Sequence, residues 1–560
     1  MASTLTRNTQ RSAKATKASG TAPSATSLLS GVSLARFGTW LVVAGVFVIP
    51  LSLVVALALG GNQWPLLLDS GLGQAAWNSF FTTLLSAVGA VIVGTAMALV
   101  LDRTDAAGTR WLRLLLLSPL LVPPFIGAIA WMQLFGPAQG VNRLFGTAVW
   151  NIYGADGVTV LMLVHSYPMV YIIIAAALRG LPADLEQAAR VSGAGPFTVF
   201  WTVTLPLLRP ALLSAFTLTA VSNLADFGIP AILGSPQGFE TLATMMYRFM
   251  DSGTVSNPLQ VVSTLGVVLL LLGIGAVIAE HVVSLRAATT LQATGEPALF
   301  ELGALRAVVT VIAWLVALVI AVGPLAGLAY RALLPAPGVP FTWENISLDN
   351  FTNAVSNPRV IDGFQNSLFL ALSAAVLCGI IGWAVGLVVT RTRLWGNTPL
   401  TLVVLLPMAL PGMIVGIAWL IFGRYTGIYN TIWVILGAYV CAFTALVLQA
   451  VRAPLRTTPL AVEEAARMSG AGQVRSLLST TGAMAIPAAI SGAMLVAVTA
   501  VRELTVSILL IAPGTTTLGV QVFNLQQAGA YNEAAALSLM FSVVGIVALA
   551  LSARSPGKGK

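Results

Sequence analysis

Two stretches of the chain, 277 residues apart, carry nearly the same polar text: DLEQAARVSGAG from Asp184 to Gly195, and AVEEAARMSGAG from Ala461 to Gly472. Each is a short island between long apolar runs, and a fold that holds this chain must give both islands equivalent surroundings. The runs themselves fix the solvent. With 57% hydrophobic and 8% charged residues the chain has far more apolar surface than a water-soluble core can absorb, so it is expected to be an all-α, polytopic membrane protein.

Apolar runs of about 20 residues, the length that spans a bilayer as a helix, predict twelve helices. Six fall near 38–59, 78–101, 114–135, 158–178, 208–232 and 259–283, and six near 307–330, 367–390, 399–421, 430–451, 484–511 and 531–552. Basic residues orient them. With both termini in the cytoplasm, inside segments hold 22 of the 28 Lys and Arg. Outside loops hold Arg143, Arg248, Arg331, Arg359 and Arg424, and Arg502 lies within a run. The net charge of +9 is mostly this inside bias, and no nucleic-acid role follows from it. Residues 1–36 read as a disordered cytoplasmic tail, 37–285 as one half, 286–305 as a cytoplasmic linker, 306–553 as a second half and 554–560 as a cytoplasmic C-terminal tail.

The halves are repeats. Asn78-Ser79 and Asn366-Ser367 open the second and eighth spans, and Arg103-Thr104 and Arg391-Thr392 close them, all at an offset of 288. At the islands the offset is 277, so the first half carries about eleven extra residues, assigned to the outside loop 136–157. Six spans per half is an even number. The two halves therefore enter the bilayer in the same sense, as parallel repeats about an axis along the membrane normal. Both islands then face the cytoplasm and ask for a two-fold partner.

In the first island Pro182 and Asp184 resemble a helix start and Gly193 a stop. In the second, Thr458 can cap, Pro459 can take the first helical position, and Gly470 can end the helix. A second short helix is expected after each glycine. These islands resemble the EAA loop of ABC importer permeases of the binding-protein-dependent (MetI-like) type, whose pattern is E-A-A, three residues, G, nine residues, I-x-L-P. The first reads Gln187-Ala188-Ala189, Gly193 and Val203-Thr204-Leu205-Pro206. The second reads Glu464-Ala465-Ala466 and Gly470, with Gly482-Ala483 where Leu-Pro is expected. The resemblance covers about residues 60–555. It implies a bacterial inner-membrane permease that is not an enzyme and binds no cofactor of its own. Two copies of an ATPase subunit hydrolyse ATP and dock on Glu186, Gln187, Ala188, Ala189, Gly193 and on Glu463, Glu464, Ala465, Ala466, Gly470, while an extracytoplasmic binding protein delivers substrate. The chain has no G-x-x-x-x-G-K-[ST], so the motor is a different chain.

Charges within spans point to function by default. Asp226 and Glu503 are 277 apart, and Arg502 precedes Glu503; the three are candidate pathway or gate residues, with a structural tie through Arg502 as the alternative. Pro119, Pro123 and Pro124 interrupt the third span, and Pro407, Pro411 and Gly412 the ninth, as gate, kink or packing. Cys378 and Cys441 read as packing residues, and neither His165 nor His281 has a partner at metal-ligand spacing; no catalytic or metal residue is assigned. The stretches ADFGIPAILG and ELTVSILL, the latter followed by PGTTTLGVQVF, resemble ferric-iron permeases most, with thiamine, polyamine and aminophosphonate permeases as relatives. A different class, an ion-gradient-driven carrier using Asp226 and Glu503, also fits parallel six-span repeats but gives no reason for the islands.

Overall fold

The computed structural model describes residues 31–120, 122–137, 140–147, 149–253, 255–287, 300–392 and 396–554. The expected N-terminal tail, linker and C-terminal tail fall largely outside these residues. Among the described residues nine helices are long and apolar enough to cross a membrane, or up to eleven if each of two bent pairs is one span. The twelfth expected span, 531–552, coincides with the helix Tyr531–Arg554.

The long helices are inside out relative to those of a soluble protein. In Leu72–Arg103 the buried positions include Ala75, Ser79, Ser86, Ala90, Gly94 and Ala98, mostly four residues apart on one stripe. Trp77, Phe80, Leu84, Val88 and Ile92 lie exposed on the opposite side. Its repeat mate Pro358–Arg391 buries Gly363, Ser367, Ala371, Ala375, Gly382 and Gly386 and exposes Phe364, Leu368, Leu372, Val376 and Ile380. Lipid tails are as apolar as leucine, so large side chains gain nothing by turning inward, and small ones let backbones close up. Gly94 packs so tightly on Ala155–Arg179 that an added Cβ would lie 2.7 Å from Val170 Cβ. Gly382 repeats the contact with Val447 at the same distance.

The repeat markers have structural work. Ser79 Oγ accepts from Leu242 N and Ser367 Oγ accepts from Leu518 N, both at 2.8 Å. The amides of Asn78 and Asn366 donate to the carbonyls of Glu240 and Thr516. Each Asn-Ser pair thus pegs a short helix, Leu242–Asp251 or Leu518–Gln527, against the start of a long one.

The first span of each half crosses to the other half. Helix Arg36–Leu59 packs on Gly412–Thr426 of the second half as well as on Pro258–Ala287 of its own, and Gly303–Ala332 packs on Thr109–Leu116 and Pro124–Phe135 of the first as well as on Tyr531–Arg554 of its own. Gly108, at φ +77°, lies under the Trp314 ring, and its mate Gly396, at φ +97°, lies under Trp40. The third and ninth expected spans are not straight. They break between Leu120 and Pro124, and between Met408 and Gly412, with bends of 105° and 107°. Proline supplies no N–H and blocks helical dihedrals before it, which accounts for both breaks. The eleven extra residues of the first half fall where expected, since Phe135 and Ala155 are separated by a connection holding the helix Gly140–Phe145, whereas Thr426 and Ile432 are joined by a short turn.

Gly94→Val and Gly382→Val should each destabilise the fold by about 1–3 kcal/mol, because the close-packed pair has no room for the branches. Thermal unfolding in detergent checks this against Gly275→Val, where nothing lies within 4 Å of the added carbon. Equal midpoints for all three would refute the close-packing account.

Candidate functional site

Each island folds as expected into a helix, a glycine turn and a second short helix that runs on into a span. The first helix is Ala183–Val191 and its mate Leu460–Met468. One local expectation is corrected. Pro459 is the N-cap rather than the first helical residue, and the Thr458 hydroxyl donates back to Pro454 O at 2.8 Å instead of capping forward. Both helices end in the same motif: Gly193 N bonds Arg190 O and Ala194 N bonds Ala189 O, with Gly470 to Arg467 and Ala471 to Ala466 in the mate. The glycines sit at φ +86° and +89°, the left-handed conformation that such a stop requires.

Two residues assigned to docking turn inward. Glu186 and Glu463 are 1% and 4% exposed, too little to meet another subunit. The Glu186 carboxylate takes Arg103 in a two-pronged contact, NH2 to Oε1 at 3.1 Å and NH1 to Oε2 at 3.2 Å, and accepts from the Thr204 hydroxyl at 2.8 Å. The mate repeats the triad with Arg391 Nε 3.2 Å from Glu463 Oε1 and the Thr481 hydroxyl donating to the same oxygen. Arg391 also donates to Thr458 O at 2.7 Å, and Ser476 Oγ donates to Glu463 O. Each island is therefore bolted to the C-terminal end of a long span. Arg103, Arg391, Thr204 and Thr481 were missed as partners by sequence reasoning, although their offsets of 288 and 277 matched those of the repeat and the islands.

The other assigned residues face outward. Gln187, Ala188 and Gly193 are exposed, as are Glu464, Ala465 and Gly470, while Ala189 and Ala466 are partly covered. Beside them stands a feature not singled out from sequence: Val191 is 90% exposed and its mate Met468 89%. The two bare apolar side chains stand at the same place in both repeats and outside every candidate span.

The missing Leu-Pro in the second half has a local explanation. Both halves pass through one π-helical turn here, Phe200–Thr204 and Leu478–Gly482. In the second, Trp383 Nε1 donates to Gly482 O at 3.0 Å, and a Cβ on Gly482 would touch the Trp383 ring at 3.0 Å.

The fifth and eleventh spans stop earlier than expected, at Leu224 and Val501, so Asp226 and Glu503 lie in turns beyond the helix ends rather than within helices. Asp226 Oδ1 accepts from Gly228 N at 3.1 Å and Glu503 Oε1 from Val506 N at 2.7 Å, each carboxylate holding the turn that follows it. The two are close enough for their charges to act on one another. Arg502 bridges the halves, donating to Val122 O at 3.4 Å in the bend of the first half. Nearby, Tyr247 and Phe523 occupy matching places on the pegged short helices, 276 residues apart, and their rings meet edge-on at 6.1 Å. Repeat mates that touch must lie on the pseudo-two-fold axis. Phe227 leans on both, at 5.2 and 5.8 Å, so aromatic rings close the axis here. Among the described residues no group of three or more His, Cys, Asp or Glu comes together to hold a metal ion.

Residues 90–289 and 379–555 match the family of binding-protein-dependent transport system inner membrane components, once per half. The chain belongs to this family. It is a permease of the ABC importer type, built from two fused MetI-like halves in one chain. The molybdenum transport system permease protein ModB of Mycobacterium tuberculosis is 34% identical over 217 residues, 38% of this chain and 82% of that protein. The ferric transport system permease protein FbpB of Actinobacillus pleuropneumoniae is 22% identical over 482 residues, 83% of this chain and 69% of that protein. The Fe(3+)-transport system permease protein FbpB 2 of Haemophilus influenzae is 23% identical over 485 residues, 85% and 88% of the two chains. For a binding-protein-dependent permease the family implies ATPase and substrate-binding partners, with ATP hydrolysed outside this chain.

Within this permease the triads should be strongly coupled. Arg103→Met alone, or Glu186→Met alone, leaves a buried uncompensated charge and should cost about 3–5 kcal/mol, while the double substitution recovers most of the loss. The same holds for Arg391 and Glu463. A double-mutant cycle on unfolding free energy in detergent checks it; additive losses would show that the pair does not act as a unit.

Proposed function

We propose that this chain forms the substrate pathway of an ATP-driven importer for ferric iron, with both termini and both islands in the cytoplasm. One ATPase subunit docks on each island. The observation that carries the docking is the pair of bare apolar side chains, Val191 and Met468, raised on matched helices whose inner faces are pinned by Arg103 and Arg391. A helix held in this way can press a partner's groove and pass displacement to the long spans without bending. Gln187 and Glu464 flank the knobs on the exposed face. The excess of Lys and Arg near the islands supports the cytoplasmic orientation.

Ferric iron is favoured by the relatives that span most of the chain. A molybdate-type oxyanion is the second reading, favoured by the higher identity of the ModB relative over its shorter match. Thiamine, polyamine and aminophosphonate remain cargo alternatives within the same class. The deciding experiment reconstitutes the chain with its ATPase subunits and binding protein in vesicles and follows radioactive iron and molybdate. Uptake by the purified chain without any ATPase would instead establish a gradient-driven carrier.

Val191→Asp and Met468→Asp should reduce ATPase co-purification by about tenfold each, the loss expected when an apolar anchor is replaced by a charge, while leaving the unfolding midpoint of the permease unchanged. Gly193→Val and Gly470→Val should do the same by straining the left-handed stop. Undiminished co-purification in the aspartate variants would remove the knobs from the interface.

A further inference from the structure

The two halves match closely around the central bends, and one place breaks the match. Arg502 has Ala225 as its repeat mate, and His165 has Ala442. The exchange extends to the packing. His165 lies against Gly127, where a Cβ would fall 2.0 Å from the ring nitrogen Nε2. The second half has Val415 in place of Gly127 opposite Ala442 in place of His165. A large–small pair has been traded for a small–large one, so the imidazole in the first half has a space made for it.

The groups belong together. The His165 ring and Pro119 line the same cavity as Val122. A cavity of about 30 Å³, room for one or two waters, is walled by Ser118, Val122, Trp131, His165 and Pro324. Val122 is the residue whose carbonyl Arg502 reaches, at a long 3.4 Å. Arg502 Nε is buried with no hydrogen-bond partner, and among the described residues its guanidinium enters no ion pair. Glu503 is near enough for its charge to act on Arg502, but its Oε1 accepts from Val506 N, as Asp226 Oδ1 does from Gly228 N, and neither carboxylate closes an ion pair with the guanidinium. A guanidinium at this depth is costly unless it meets a partner, and it presents a planar fork suited to oxygen anions.

We infer that Arg502 and His165 form a single, unsymmetrical recognition point in the pathway for an anionic oxygen group of the cargo. This rests on the importer reading and narrows its substrate class. The cargo passes as an oxyanion, or as ferric iron still carrying an oxyanion ligand, and a bare cation is disfavoured. Arg502 supplies the charge and His165 a hydrogen-bonding ring from the opposite half.

The test uses the full complex of permease, ATPase subunits and binding protein in vesicles. The probes are molybdate, ferric iron with phosphate, and ferric iron without phosphate, with uptake and ATP hydrolysis measured together. Arg502→Met should lower oxyanion-bearing uptake by about tenfold or more, the effect of losing one charge-assisted hydrogen bond, with ATP hydrolysis kept. Arg502→Lys should retain part of the uptake, and His165→Gln should lower it less than Arg502→Met. A loss confined to molybdate identifies a free oxyanion as the cargo; a loss confined to iron with phosphate identifies an anion riding on the metal. An equal loss with phosphate-free iron overturns the inference. So does wild-type uptake in Arg502→Met, or a loss matched by equal losses of ATP hydrolysis and assembly, which would make Arg502 a tie between the halves. A wild-type complex without ATP-driven uptake of any probe would instead defeat the importer reading.

Discussion

The rest of the permease depends on one buried ionic contact made twice. Arg103 with Glu186, and Arg391 with Glu463, join the C-terminal end of a long span to an island helix. An ion pair removed from water is weak evidence for net stability, because desolvation offsets much of the attraction. What such a pair does supply is a penalty for separation. Shifting an island away from its span leaves two buried charges without partners, so island and span move as one body. The threonine hydroxyls of Thr204 and Thr481 complete the carboxylate shell from the far side of the glycine turn. Each triad therefore gathers three segments: the end of one span, the island helix and the start of the next span.

From these anchors the architecture divides into continuous and broken parts. The spans beside the islands are closed up on stripes of small residues, with Gly94 and Gly382 at backbone contact distance. The parts nearest the axis are instead broken: two bends above 100°, two spans that stop at Leu224 and Val501, and buried turns in which a carboxylate accepts from backbone N–H. The rings of Tyr247, Phe523 and Phe227 meet on the axis.

Much of this was legible in the sequence, and the reasons differ by element. The islands, their glycine stops and the parallel sense of the halves followed from a repeat offset and an even number of spans, which need no side-chain detail. The prolines foretold the bends but not their angle, since a proline removes a hydrogen bond without fixing where the chain goes next. The spans of Asp226 and Glu503 looked continuous because apolar composition persists past Leu224 and Val501; a turn buried in protein is as apolar as a helix. Glu186 and Glu463 looked like surface residues because carboxylates usually are. Only the matched arginines at the ends of the second and eighth spans, 83 and 72 residues upstream, reverse that expectation.

The crossing of the first spans has a consequence for how the protein is made. Trp314 is synthesised after Gly108, so the second crossing helix finds its seat waiting. Trp40 is not so placed: Gly396 lies 356 positions further along the chain. At about 5–20 residues per second, the first helix stands in the bilayer for roughly 20–70 seconds before its second-half seat exists. Throughout that time the helix rests on Pro258–Ala287 of its own half alone, and its other face waits for Gly412–Thr426.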